Sequence, residues 1–114
     1  MSMRISLAAL ALAVAAPAAM ANDFPTADRV QYVLECMYRN GGSSVYVYKC
    51  SCVIDSVAQK YKYDEWVNIS TIARYQTLPG EGGGMFRDEP ENRAASKRYR
   101  DVEADANKLC GVPK

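Results

Sequence analysis

The chain has 114 residues, 24% of them charged, with 14 Lys and Arg against 13 Asp and Glu, and it contains four cysteines and no histidine. A chain of this length makes one small domain whose core alone is a marginal source of stability. The near-balanced charge argues against nucleic acid as a partner, and the missing histidine excludes His-dependent triads, His-ligated transition metals and c-type haem attachment.

Arg4, the apolar run Ile5 to Ala16 and the sequence Ala19-Met-Ala21 read as a cleaved secretory signal peptide over residues 1–21. The apolar run is well short of the roughly 20 residues that span a bilayer, so no membrane association is expected after cleavage. The expected mature chain is a single helical domain over 22–114 in the periplasm, formally neutral once Arg4 has left with the leader. In that oxidising compartment an even cysteine count reads as a disulfide framework, each bridge contributing about 2–4 kcal/mol.

Thr26 can cap a first helix over Ala27 to Asn40, with Phe24 near the staple position. Val30, Val33, Leu34 and Met37 form its expected core face, and Gly41-Gly42 ends it. Ser43 or Ser44 then caps a second helix, Val45 to Tyr61. Cys50, Val53, Ile54, Val57 and Tyr61 recur there at helical spacing and mark a continuous core stripe. Tyr46-Val47-Tyr48 also reads as a strand, but the chain holds no second alternating run to pair with it. A third helix is capped by Asp64 with Glu65 in its first turn, carries Trp66, Ile69, Ile72 or Ala73, and Gln76, and ends at Leu78-Pro79-Gly80. Trp66 reads as core rather than as a ligand-stacking platform. Gly80-Glu-Gly-Gly-Gly84 reads as a flexible loop running to about Arg87, because ordering so many glycines is entropically costly. Asp88 and Glu91 form a capping pattern for the last helix, Glu89 to Cys110, with Ala95, Tyr99, Val102, Ala106 and Leu109 on one face. The sum is an all-α bundle of about four helices.

Cys50 and Cys52 leave the second helix roughly 200° apart, so that helix can be stapled to two neighbours. In a hairpin of the first two helices Cys36 and Cys50 fall at nearly the same height, which favours Cys36–Cys50 with Cys52–Cys110. Spacing also permits Cys36–Cys52 with Cys50–Cys110. A redox role for Cys50-Ser-Cys52 is the weaker reading, since a bond between them would strain a helix. Zinc is disfavoured because the spacing lacks the paired cysteines of zinc ribbons.

No catalytic motif is present, and an enzyme is not expected. Glu81, Asp88, Glu89 and Glu91 flank the glycine run, and hard cations take such oxygen ligands. They match no EF-hand pattern, and a solvated loop and helix cap is the plainer reading of the same residues. Asp101, Glu103 and Asp105 read as a solvated face. Eight tyrosines are many for this length, and an exposed Tyr/Met patch would suit a protein interface.

Phe24-Pro-Thr-Ala-Asp-Arg-Val30, Glu35-Cys-Met37, Tyr48-Lys-Cys-Ser-Cys-Val-Ile-Asp55, Tyr63-Asp-Glu65, Gly80-Glu-Gly-Gly83 and Lys97-Arg-Tyr-Arg100 span nearly the whole mature chain. Together they resemble a family of small periplasmic proteins that accompany PQQ-dependent alcohol dehydrogenases in methylotrophs, landiscernin-like lanthanide-binding proteins among them. The resemblance implies an accessory protein that binds a lanthanide or calcium, with a quinoprotein dehydrogenase or a second copy of itself as partner. A disulfide-stapled interaction module that binds a dehydrogenase or cytochrome without metal is the alternative. Carboxylates converging in space would favour the first, and an exposed apolar patch the second.

Overall fold

The helix over residues 46–58 is the centre of the molecule, because both of its sides are covalently and hydrophobically engaged. In the computed structural model the described residues are 22–113, so the expected leader lies outside them. They form α1 (Thr26–Arg39), α2 (Tyr46–Ala58), α3 (Tyr63–Tyr75), α4 (Gly80–Asp88) and α5 (Pro90–Cys110). The fold is all-helical as expected, with five helices in place of four.

Cys50, Val53, Ile54 and Val57 of α2 are at most 1% exposed, the most deeply buried stripe in the core. Full burial of such aliphatic side chains stabilises by about 1.5–3 kcal/mol each. Tyr61 lies beyond the end of α2 and is half-buried against the cluster, its ring meeting that of Tyr99 edge-on at 6.0 Å. α1 packs on one side of α2 and α5 on the other. Cys36–Cys50 ties α1 to α2 and Cys52–Cys110 ties α2 to α5, the pairing that the opposed cysteines favoured.

α1 begins at Thr26 directly after Pro25, so Thr26 lies inside the helix and does not cap it. Gly41 and Gly42 take positive φ, and the Gly42 N–H donates to the Met37 carbonyl at 2.8 Å, closing the helix in a Schellman-type turn. The expected core face of this helix holds only in part, with Val33 and Met37 half-buried against the core. Tyr32 and Cys36 are its buried residues, whereas Val30 and Leu34 are 51% and 60% exposed. The bridge to Cys50 fixes the rotation of α1, and Cys36 sits roughly 100° around the helix from the centre of the apolar stripe.

The cap of α3 also moves. Lys62 is its N-cap, Glu65 accepts the Lys62 N–H at 3.0 Å, and the Asp23 carboxylate accepts the Tyr63 N–H at 3.1 Å from forty residues away. Asp64 lies within the first turn. Phe24 serves no staple for α1. It is buried beside Trp66 and Tyr63, with ring centroids 5.0 and 5.6 Å away. Trp66 is partly buried and packed on the core, as its reading required.

The glycine run is a helix rather than a flexible loop. Gly80 takes φ +82° at the entrance to α4, and Arg87 reaches back from its last turn to the carbonyls of Gln76, Leu78 and Gly80. Charge-assisted bonds of this kind are roughly twice as strong as neutral ones, enough to offset the entropy of ordering the glycines. Phe86 stacks on Tyr75 at 5.1 Å and seals α4 against α3. Asp88 belongs to α4, and Glu89 takes the N-cap position of α5 with Pro90 in its first turn.

Buried Gln76 joins α3, α4 and α5. It accepts from Ser96 at 2.6 Å and Arg100 at 3.0 Å and donates to the Phe86 carbonyl at 2.9 Å, so its buried amide is satisfied. Tyr99 and Ala106 of the expected α5 face are buried, but Leu109 is 79% exposed. Gly111 ends α5 in the left-handed conformation and buried Val112 closes the turn.

Candidate functional site

The acidic corner comes first, since it held the expected metal ligands. Glu81 lies in the first turn of α4, Asp88 at its end, Glu89 at the cap of α5 and Glu91 in its first turn. All four are exposed, and among the described residues no group of three or more acidic, cysteine or histidine side chains is placed to hold one ion. Two main-chain carbonyls of this corner are approached by arginine side chains. Gly80 accepts from Arg87 at 3.0 Å, and the guanidinium of Arg93 lies 3.4 Å from the Arg87 carbonyl.

A polar cleft of ≈ 200 Å³ separates α1 from α3, lined by Asp28, Tyr32, Glu35, Tyr63, Trp66 and Arg74. Its charged groups already have partners. Arg74 donates to Glu35 at 3.3 Å across the cleft, and Gln31 donates to the other Glu35 oxygen at 3.2 Å. Partial burial pushes the Tyr63 phenol up, and the facing Asp28 carboxylate adds to that shift.

Behind the cleft, Trp66 Nε1–H donates to the Tyr99 hydroxyl at 3.3 Å, and Tyr99 and Tyr32 both donate to one oxygen of Glu103, at 3.0 and 2.7 Å. Burial raises both phenols above the ordinary tyrosine range, and the charge of Glu103 raises them further. Glu103 is therefore a half-buried acceptor that braces α1 and α5, not part of a solvated face. Asp101 and Asp105 keep the expected exposure, Asp101 paired with Lys97 at 2.7 Å. Neither phenol is free to act as a base or nucleophile, because each hydroxyl proton is committed to the network.

The third surface is apolar. Val30, Val33, Leu34 and Met37 of α1 face Val47 and Ile54 of α2 across an open groove of ≈ 430 Å³. Ile54 is its floor, at 1% exposed, whereas Val30, Leu34 and Val47 are 51%, 60% and 38% exposed. Arg29 and Asp55 lie 3.9 Å apart at its edge, and Ser51 and Thr26 complete the lining. Tyr38 and Tyr48 of the same two helices are more than four-fifths exposed. The sequence showed this stripe by its spacing, yet assigned it to the core.

The four cysteines form the two bridges, one internal and one near the surface. Cys36 and Cys50 are 0% exposed, whereas Cys52 is exposed and Cys110 half-buried. No helix among the described residues is long and apolar enough to cross a membrane. Comparisons with family models, curated proteins and solved structures find nothing that matches this chain.

Proposed function

We propose that this chain is a non-enzymatic accessory protein of the periplasm that works by protein contact, presenting the α1–α2 face to a PQQ-dependent alcohol dehydrogenase. The open apolar groove supports this reading. A helix normally turns such a stripe inward, and the water-facing Val30 and Leu34 mark a surface that gains free energy when covered. The two bridges fit an oxidising compartment. The association with quinoprotein dehydrogenases rests on the sequence resemblance alone.

The hard-cation reading at Glu81, Asp88, Glu89 and Glu91 calls for ligands from a second copy, since these exposed carboxylates do not converge within one chain. Both readings are separated by one experiment. The mature protein is titrated calorimetrically with a purified PQQ-dependent alcohol dehydrogenase, and separately with lanthanum and calcium while its oligomeric state is followed. Protein contact predicts that the dehydrogenase binds without added metal and that Leu34→Asp weakens it at least tenfold. Lanthanum-driven dimerisation without metal-free dehydrogenase binding would overturn protein contact in favour of the cation.

A further inference from the structure

We infer that the cleft between α1 and α3 is a binding site for a small organic ammonium ion, held by Asp28 against an aromatic wall of Tyr63 and Trp66. Asp28, Tyr32 and Glu35 stand at i, i+4 and i+7 on α1 and line one side of the cleft, while Tyr63, Trp66 and Arg74 of α3 line the other. This side of α1 lies roughly opposite the apolar stripe of Val30, Val33, Leu34 and Met37. The site is therefore separate from the protein-contact face, and the two readings stand or fall independently.

The charge of the cleft selects a cation. Glu35 is already balanced by Arg74 at 3.3 Å, and Arg74 is the one basic residue of the lining. Asp28 differs, because it faces the neutral Tyr63 phenol and no described residue forms an ion pair with it. Asp23 and Asp64 deepen the negative field around Tyr63, the first by accepting the Tyr63 N–H and the second from the adjacent position on α3. A neutral occupant would desolvate the half-buried Asp28 without compensation, whereas an ammonium group donates charge-assisted hydrogen bonds to it or neutralises it at contact.

The walls select an organic cation over a metal ion. A hard metal ion such as calcium takes six or more oxygen ligands, and among the described residues no group of three acidic, cysteine or histidine side chains is placed to hold one. Tyr63 and Trp66 instead offer aromatic surface, which attracts a cation within about 6 Å of a ring centroid. Their centroids are 6.1 Å apart, and both rings are held in place: Phe24 packs on each, and the indole Nε1–H donates to Tyr99. The volume of ≈ 200 Å³ exceeds the roughly 150 Å³ that holds benzene, so an ammonium ion of up to about eight non-hydrogen atoms fits. A free amine and the lysine side chain of another protein share this chemistry.

Trp66 is the sole tryptophan of the chain, so intrinsic fluorescence reports on this cleft directly. The mature, oxidised protein is titrated with benzylammonium, tetramethylammonium and the neutral benzyl alcohol at constant ionic strength, and backbone amide shifts are followed alongside. Both ammonium ions are expected to saturate, with shifts centred on Asp28, Tyr63 and Trp66, and benzyl alcohol to bind at least tenfold more weakly than benzylammonium. Asp28→Asn, checked for native helicity by circular dichroism, is expected to weaken benzylammonium at least tenfold, and Leu34→Asp on the opposite side of α1 to leave it unchanged. Equal affinity for benzylammonium and benzyl alcohol, full affinity in Asp28→Asn, or shifts centred elsewhere would overturn the inference. Absence of saturation by both ammonium ions would overturn it too. Should Asp28→Asn fail to fold, the charged and neutral probes on the unaltered protein still decide the matter. α-N-acetyl-lysine methylamide separates the two sources of the ammonium group: binding at least tenfold tighter than benzylammonium assigns the site to a lysine of another protein, and the reverse order assigns it to a free amine.

Discussion

Three adjacent helical glycines should respond to alanine with opposite signs. An added Cβ at Gly82 meets nothing within 4 Å, and at Gly84 only ordinary contacts at 3.7 and 3.8 Å with the side chains of Arg87 and Asp88. At Gly83, which is buried, it would collide with the Leu78 carbonyl and press on the Arg87 guanidinium. Alanine in a helix interior is favoured over glycine by about 1 kcal/mol, so Gly82→Ala and Gly84→Ala should each stabilise by about 0.5–1 kcal/mol. For Gly83→Ala that gain is opposed by overpacking of about 1–3 kcal/mol and by weakening of the Arg87 bond to Leu78, itself about 1.5–3 kcal/mol. The net expectation is a loss of about 2 kcal/mol. Urea unfolding followed by circular dichroism measures each variant, and in a domain of this size Gly83→Ala should melt roughly 10–20 °C below the other two. If all three shift the same way by similar amounts, the clamp between Leu78, Gly83 and Arg87 is not what orders α4.

The buried phenols predict alkaline sensitivity. Tyr32 and Tyr99 are raised in the folded state, so the unfolded chain ionises first, and stability held below about pH 10 should fall as pH rises, by about 1.4 kcal/mol per unit for each phenol. Guanidinium unfolding across that range should show a clearly shallower slope in Tyr32→Phe/Tyr99→Phe, with Tyr63 still contributing, and an unchanged slope would refute the assignment. The bridges should open in order, Cys52–Cys110 before Cys36–Cys50, because only the former offers an exposed sulfur-bearing residue to a small thiol. Alkylation and peptide mapping after limited reduction read this directly, and early labelling of Cys36 would contradict it. Replacing Cys52 and Cys110 by alanine should cost about 4 kcal/mol of loop-closure entropy, against about 3 for Cys36 and Cys50 before lost packing is added.

The helical class, the stripe on α2 and the bridge pattern were legible because each depends on local periodicity. Cys50 and Cys52 point apart on any helix, and a hairpin brings Cys36 level with the first of them. The rotation of α1 was misread because hydrophobicity ranked Val30 and Leu34 above Tyr32, whereas the bridge at Cys36 and the reach of Tyr32 to Glu103 decide which face turns inward. That clue was present in the sequence: a bridged cysteine has to face its partner, and Cys36 does not share the stripe. α4 was hidden for a different reason. Glycine propensity argues for a loop, and the interactions that override it come from Arg87 bonding to carbonyls up to eleven residues earlier in the chain. Spacing alone likewise placed four carboxylates near one another in sequence, but the boundary between α4 and α5 at Glu89 spreads them over two helices.

The two bridges also decide how the molecule would survive a protease. A single backbone cut anywhere between Cys36 and Cys50, or between Cys52 and Cys110, leaves two pieces that a sulfur–sulfur bond still joins. Only the segment before Cys36, the two peptide bonds around Ser51 and the short tail after Cys110 lack that insurance. The apolar stripe of α1 straddles this boundary, with Val30 to Leu34 ahead of Cys36 and Met37 behind it. A nick in α4, where the glycines lie, would therefore leave a clipped but single molecule still carrying both walls of the groove. A cut just before Cys36 would carry away most of one wall. In a protease-rich compartment, loss of groove binding and loss of the intact chain on a non-reducing gel thus become separate events, and cleavage sites within the two closed rings would pass unseen until the sample is reduced.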